Sequence, residues 1–344
     1  MKLHDTGVYL VHGVPQAEAP AGFTQEQAKQ GTIAYGILKA HNTGDSMQDL
    51  RMKFDSMTSH DITYVGIGGD GTYKGAEALT RLGLPTIGVP GTIDNDLAVT
   101  DHCPGFGSAA KFAAASALET AQDAAALPIH VVVMEMMGRN AGWITAASAL
   151  FTHLMPCEHL VYLPETAFDK EEFLAAVRER WARGRGLLVT ISEGLHYADG
   201  SPVADSGVVD GFGHKVPGGA AQTLCDMIMA ETGLKARSEK PGLLGRVSVA
   251  LMSPVDQREA EEAGAVAVRS AVEGKTGFMV GFQADRTPAY TCKTCLIPLE
   301  DVANAEKKFP LGWIGQDGCS IDKAFIDYCL PLLGECDTRF AAIR

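Results

Sequence analysis

Residues 62–96, ITYVGIGGDGTYKGAEALTRLGLPTIGVPGTIDND, constrain this chain more than any other stretch. A short run rich in β-branched residues, 62–67, stops at Gly68-Gly69-Asp70-Gly71-Thr72, so the pattern reads as a strand, a glycine-rich loop and a helix opening at Thr72. Three glycines beside one carboxylate suit a backbone that must come close to a phosphate, because a Cβ would fill the space the ligand needs. Uncapped amides at the helix start offer an anion site. A second strand, 85–89, runs into Gly91-Thr92-Ile93-Asp94-Asn95-Asp96. Two neighbouring parallel strands would deliver these amides and three carboxylates, Asp70, Asp94 and Asp96, to one carboxyl edge of a sheet, where open α/β folds bind ligands. That combination points to phosphoryl transfer.

With 344 residues and 46 % hydrophobic composition, the chain is long enough for two domains around sizeable cores. Its formal charge of −13 argues against nucleic acid or an anionic membrane as a partner. There is no apolar run of membrane-spanning length, and residues 1–14 lack the continuous apolar centre of a signal peptide, so a cytoplasmic address is expected. The eight cysteines are scattered and read as free thiols. Cys292 and Cys295 form a lone C-x-x-C and are read as ordinary loop cysteines.

Residues 1–61 are the least legible part: a strand over 7–12 and helices over 25–40 and 47–57 fit the pattern, and His12 and His60 are assigned no chemistry. Beyond residue 59 strands and helices alternate regularly. An Ala-rich helix over 107–125 follows Cys103-Pro-Gly-Phe-Gly107, a start that suits either an anion or close helix packing. A buried-type strand over 130–135 ends at Met137-Gly138-Arg139, where an Arg can fork two donors onto a phosphoryl group. Strands over 160–163, 187–192, 247–252 and 277–282 are expected. Helices are expected over 144–151, 170–182, 218–232 and 259–272 and near 300–308 and 322–333, with a loop over 197–211. Glu193, at a strand end, is placed to accept from sugar hydroxyls, and Arg237 and Arg246 could clamp a terminal phosphate.

Joined in this order, Gly68-Gly-Asp-Gly-Thr72, Pro90-Gly-Thr-Ile-Asp-Asn-Asp96, Met137-Gly-Arg-Asn-Ala-Gly-Trp143 and Ser192-Glu-Gly194 make the chain resemble the phosphofructokinase family. The similarity extends from about residue 66 to about 335 and includes Asp210-Gly-Phe-Gly-His-Lys215, Pro298-Leu-Glu300 and Ala303-Asn-Ala-Glu-Lys-Lys308. In those details it is closest to the branch with many pyrophosphate-dependent members. The resemblance implies two Rossmann-like three-layer α/β/α domains with mostly parallel sheets. It divides them into an N-terminal segment 1–61, a donor-binding domain of 62–128 with about 247–285, and a sugar-phosphate domain of 129–246 with about 286–344.

It also implies transfer of a phosphoryl group to the 1-hydroxyl of fructose 6-phosphate in glycolysis. Asp94 would be the base, Asp70 and Asp96 would hold Mg²⁺, and Thr92 and Arg139 would stabilise the transferring group. Gly68, Gly69, Gly71 and Thr72 would cradle the donor, with Met137, Gly138 and Glu193 on the sugar and Arg237 and Arg246 on its 6-phosphate. In pyrophosphate-using relatives an Asp follows the loop Asp and a Lys precedes Thr-Ile-Asp. Gly71 and Gly91 stand there, so ATP is expected as donor, with pyrophosphate as the alternative. A homo-oligomer is expected because relatives complete the sugar-phosphate site from a neighbouring subunit.

Two departures accompany the match. The family's opening loop, Gly-Gly-Asp-x-Pro-Gly-x-Asn, has no counterpart in 1–61; residues 13–67 are instead similar to the opening of some aconitase-family hydratases, though without a cysteine triad for an iron–sulfur cluster. His130 and Leu243 replace an expected cation and an expected His. A non-catalytic ligand-binding relative is therefore a further reading.

Overall fold

The computed structural model describes residues 9–11, 14–16, 22, 57–59 and 63–339, except 128, 210–214 and 304. The histidines at 12 and 60, the helices expected over 25–40 and 47–57 and most of the 210–215 motif lie outside them. The chain separates into a unit of residues 1–57 and a unit of 58–344. In the first, β1 (Tyr9–Val11) and β2 (Val14–Gln16) form an antiparallel hairpin.

The second unit is built on two sheets. The first follows from the alternation at residues 63–90: β3 (Met57–Ser59) lies at the edge beside β4 (Thr63–Gly68), α1 (Asp70–Arg81) crosses over, and β5 (Thr86–Pro90) pairs parallel to β4. α2 (Phe106–Ala126) leads into the second sheet. Its parallel strands are β6 (Val131–Met136), β7 (Glu158–Tyr162) and β8 (Leu187–Ser192), with β8 between the other two. Every residue of β6 and β8 is buried, which is why both read as unbroken apolar runs rather than alternating ones. Between β6 and β7 run α3 (Trp143–Ala147) and a 3-10 stretch, Ser148–Leu154; α4 (Lys170–Trp181) connects β7 to β8. A ribbon of β9 (Asp205–Val209) and β10 (Lys215–Pro217) occupies the expected loop, and α5 (Ala220–Thr232) leads to β11 (Ala236–Glu239), which joins β6 in parallel.

The strand expected over 247–252 is absent. Residues there form α6 (Leu244–Val247) and an exposed turn, with no sheet edge beside them to satisfy a strand backbone. Ser253 caps α7 (Pro254–Val272) through Val255 and Asp256, so this helix starts five residues before the expected position. β12 (Phe278–Asp285) returns to the first sheet beside β5 and pairs antiparallel with β13 (Thr291–Pro298). The first sheet therefore continues to residue 298. Cys292 and Cys295 lie on a strand rather than in a loop. Being three residues apart they face opposite sides, Cys292 toward Phe282 and Cys295 toward Met279. α8 (Leu299–Val302) and α9 (Lys323–Leu333) complete the unit. The result is an α/β architecture of mostly parallel sheets. No helix among the described residues is long and apolar enough to cross a membrane.

The second sheet packs against a core centred on α2. Ala109, Ala110, Ala113, Ala117 and Ala121 give α2 a buried face of small side chains, packed with the aromatic rings of Trp143, Phe309, Phe325 and Tyr328. A Cβ on Gly107 would stand 2.8 Å from the Leu332 carbonyl, so α2 and α9 approach to backbone contact. The N-terminus of α2 offers no anion site. Asp256 of α7 already fills it, accepting from the Gly105 amide at 2.7 Å and the Ser108 amide at 3.0 Å. Packing was the correct reading of Cys103-Pro-Gly-Phe-Gly107.

His159, on β7, is buried between the hydroxyls of Thr152 (3.0 Å) and Thr190 (2.9 Å) with no carboxylate partner. Burial lowers its pKa from 6.5 to about 3. Unfolded, the ring takes a proton near 6.5, so its contribution to stability is complete above that pH and is lost as pH falls through 6.5 toward 3. Relative to a His159→Gln variant, denaturant unfolding of the wild type should lose about 2 kcal/mol between about pH 7 and about pH 5. Parallel pH profiles for the two proteins would contradict this.

Candidate active site

The carboxyl ends of β4 and β5 bring the glycine-rich loop and the acidic loop together. The Gly91 amide donates to the Gly68 carbonyl at 3.1 Å. A Cβ built on Gly69 would meet Thr92 Cβ at 3.3 Å, and one on Gly68, whose φ is +155°, would strike Thr72 Oγ1 at 2.3 Å. Glycine is needed at 68 for conformation and contact alike. α1 starts at Gly69 without a side-chain cap. The Thr72 amide donates to the Gly69 carbonyl at 3.0 Å, so its N–H is used within the turn and the amides before it are the ones offered to a ligand. Asp70 opens the helix, partly exposed and ion-paired with Lys74 at 2.6 Å. A Cβ at Gly71 would meet no atom within 4 Å, and at Gly91 the nearest would be Ile67 Cγ2 at 3.7 Å.

The acidic loop is pinned from several sides. Thr92 donates its amide to Pro104 at 3.1 Å and its Oγ1 accepts from the Asp94 amide at 3.3 Å. Asn95 is fully buried at φ 54°; its Oδ1 accepts from the Cys103 amide (3.0 Å) and Lys307 Nζ (3.2 Å), and its Nδ2 donates to the Tyr328 hydroxyl (3.0 Å). These three partners were not singled out from sequence; the Lys307 motif had marked similarity without a role. Flanking Asn95, the two carboxyls face the open side. Burial, then the neighbouring Asp96 and Glu193, push Asp94 up to about 6, against the pull of Arg246 and Arg139. Burial raises Asp96 as well, with Glu306 and Asp70 adding to it, and its Oδ1 is buried with no hydrogen-bond partner.

From the second sheet, the ends of β6 and β8 supply the opposite wall. The Glu193 amide donates to the Met136 carbonyl at 3.0 Å, and the Gly138 amide donates to Glu193 Oε1 at 3.4 Å. Ser192 Oγ bridges the pair, donating to the Gly138 carbonyl and accepting from the Gly194 amide at 3.0 Å. Gly138 has φ +122°. At Gly194 a Cβ would fall 1.7 Å from the Arg139 carbonyl, so only glycine lets the two loops touch. Arg139 is exposed at its tip, within electrostatic reach of Asp94 and Glu193. Met137 lines a small cavity with Ile93, Phe112 and Gly245, and Arg246 follows it.

Asp70, Thr92, Asp94, Asp96, Gly138, Arg139, Glu193 and Arg246 thus gather around one opening. Arg237 does not join them. It faces solvent on β11 opposite Val132, four positions before the end of β6, or roughly 13 Å at strand spacing. His130 also lies elsewhere, at the amino end of β6 against Trp181 (4.7 Å between ring centroids), so its replacement of a cation does not bear on this opening. The carboxyls of Asp70 and Asp96, one exposed and one with an unpaired buried oxygen, are hard oxygen donors that fit Mg²⁺.

The phosphofructokinase family model matches residues 22–271, a span that begins inside the segment set apart above. The chain is 37 % identical over 304 residues to a pyrophosphate–fructose 6-phosphate 1-phosphotransferase of Xanthomonas campestris pv. campestris, covering 84 % of this chain and 73 % of that one. It is 32 % identical over 271 residues to ATP-dependent 6-phosphofructokinase 2 of Streptomyces coelicolor, covering 78 % and 72 % respectively. Among solved structures, the pyrophosphate-dependent phosphofructokinase from Nitrosospira multiformis superposes with a TM-score of 0.72 at 32 % identity, over 80 % of this chain and 68 % of that one. With a family match over most of its length and a shared fold, this chain belongs to the phosphofructokinase family.

Proposed function

We propose that the chain transfers a phosphoryl group to the 1-hydroxyl of fructose 6-phosphate, with pyrophosphate as donor. The observation that carries the reaction is the convergence of Asp70, Asp94, Asp96 and Arg139 on one opening between two sheets. Asp94, raised to about 6 by burial and by its acidic neighbours, is matched to taking the hydroxyl proton near neutral pH. Thr92 and Arg139 would hold the transferring group, Glu193 would orient the sugar through its hydroxyls, and Arg246 would meet the 6-phosphate. Asp70 and Asp96 would hold Mg²⁺, which when bound neutralises charge on the donor phosphates. The homo-oligomer expected above belongs to this proposal, as does the division into donor and sugar-phosphate domains.

The donor rests on the relatives matched at 37–38 % identity over 80–84 % of this chain, whose names specify pyrophosphate. ATP, the donor expected from sequence, is the second reading and is favoured by the free space at Gly71 and Gly91. Steady-state assays with each donor should give turnover with pyrophosphate and at most slow turnover with ATP; the reverse ranking would install the second reading. Ligand-induced thermal shift without turnover from either donor would mean a binding protein.

Asp94→Asn should lower kcat by about 10²–10⁴-fold while the thermal shift produced by fructose 6-phosphate persists. A kcat within tenfold of wild type would remove Asp94 from the role of base. Gly194→Ala must push the Arg139 loop away, at a cost on the order of 1–3 kcal/mol in folding stability. It should also reduce kcat/KM together with the stability measured by denaturant; retention of both would contradict the contact.

A further inference from the structure

A few residues past the acidic loop, three unlike donors meet. The His102 ring is 1 % exposed and stacks on Phe282 with centroids 5.0 Å apart. Its Nδ1 lies 2.9 Å from Asp101 Oδ1 and its Nε2 lies 2.7 Å from Glu259 Oε2. The other Glu259 oxygen accepts from the Tyr290 hydroxyl at 2.6 Å. A ring nitrogen of His102, a Glu259 oxygen and Cys292 Sγ all fall within 4.8 Å of one another. The three residues come from the loop before α2, from α7 and from β13, so only the folded chain assembles them.

We propose that this cluster is a second metal site, taking a divalent cation of the zinc class through His102 Nε2, the Glu259 carboxylate and Cys292 Sγ, with water in the fourth position.

The donor set is the first argument. One imidazole, one carboxylate and one thiol suit zinc, whereas Mg²⁺ selects oxygen alone. Bond lengths of about 2.0–2.3 Å to a tetrahedral zinc put neighbouring ligand atoms roughly 3.5 Å apart, so Glu259 would back away from the ring by less than about 1 Å and Cys292 Sγ, within 4.8 Å of both, would close by roughly 1 Å.

Orientation is the second. Asp101 holds Nδ1 as a carboxylate behind a metal-binding His does, which presents Nε2 forward. Asp101 is itself fixed by the Arg286 guanidinium through bonds of 2.9 and 2.8 Å.

Charge is the third. With both ring nitrogens of His102 protonated against their carboxylates, Asp101, Glu259, Arg286 and His102 sum to zero beside a neutral Cys292 thiol and Tyr290 phenol. Binding forms bonds from the Nε2 and thiolate lone pairs and releases one proton from each to solvent. Two positive charges leave and two arrive, so the half-buried pocket stays neutral throughout. The cation would clamp the acidic loop, since the Asp101 carbonyl accepts from Lys307 Nζ (2.8 Å) and the Tyr328 hydroxyl (2.7 Å), the same groups that hold Asn95.

The test uses the full chain, stripped with chelator and titrated with Zn²⁺ or Co²⁺ alone. Expected are one zinc per chain by elemental analysis, a cobalt–thiolate charge-transfer band in the near ultraviolet, and slowed alkylation of Cys292 followed by peptide mass spectrometry. Cys292→Ala should lose the band and bind zinc roughly tenfold or more weakly, and Glu259→Gln should weaken binding by a similar factor. Absence of the band from the wild type, or Cys292 alkylation that zinc does not slow, overturns the proposal. So does undiminished zinc binding in both variants, which would move the cation elsewhere. The wild-type band and alkylation rate decide the matter even where a variant fails to fold.

Discussion

Two carboxyls can be held in a partly desolvated opening only if the residue between them is anchored more firmly than their mutual repulsion can displace it. Asn95 is that anchor. Fully buried and in a left-handed conformation that Asn tolerates better than most residues, it accepts from the Cys103 amide and Lys307 and donates to Tyr328. Truncating its side chain would strand the buried Cys103 amide, at a cost on the order of 1–3 kcal/mol, and leave Lys307 and Tyr328 with only their bonds to backbone carbonyls such as that of Asp101. Lys307 is committed further: its backbone amide donates to the Asp96 carbonyl at 2.7 Å and its ammonium lies 5.0 Å from the Trp143 ring centre. The acidic loop thus hangs from the same aromatic core that backs the second sheet. Its carboxyls stay in place because the core holds the backbone, and no partner of their own is required.

Close approach of backbones is the second constraint, and glycine meets it at particular contacts. Gly194 lies against the Arg139 carbonyl, Gly69 against Thr92, and Gly105, at φ +104°, against the Thr92 carbonyl at 3.4 Å. The first two each join a pair of strand ends, and the third ties a strand end to the start of α2. Together they fix the width of the opening, and with it whether a guanidinium and a carboxyl can address one phosphoryl group. Ser192 performs the same task with a hydroxyl, tying the Gly138 and Gly194 turns together.

How much of this could be read from the amino acids depends on the range of the interaction. The strand–loop–helix–strand unit over 63–90 and the buried strands 131–136 and 187–192 were legible because their signals are local: apolar runs of strand length that end in glycine or a carboxylate. β11 and β13 were not. Ala236–Glu239 alternates half-buried and exposed with charged residues at its exposed positions, and its strand character comes from pairing with β6 rather than from composition. β13 carries Lys293, Thr291 and Thr294 among its cysteines, and only the eight-residue ladder with β12 gives it order. The Asp256 cap on α2 spans about 150 positions, and Asn95–Lys307 more than 200, so no window of sequence contains both ends. In the site, motif residues at strand ends could be named in advance. Arg237 could not be separated from Arg246, because two arginines around one turn look alike until a sheet carries one of them away from the strand ends and leaves the other within reach of Asp94.

Donor choice shows the same limit from the other direction. Identity averaged over four fifths of the chain weights every position alike, whereas donor choice falls to a few of them. Discrimination between a bare pyrophosphate and a nucleotide has to come from groups beyond the second phosphate, where one donor ends and the other carries a ribose and a base. Only residues lining that extension can tell them apart, whether by filling it or by placing a charge on the terminal phosphate. At Gly71 and Gly91 this chain fills nothing. Open space admits the larger donor without rejecting the smaller one, because pyrophosphate binds through contacts the two have in common. Selectivity for pyrophosphate would therefore require a wall or a cation contributed from outside the two loops, whereas use of ATP would require a surface for the base to stack on. The two glycines permit ATP, and a partner for its nucleoside is what would make ATP the preferred donor.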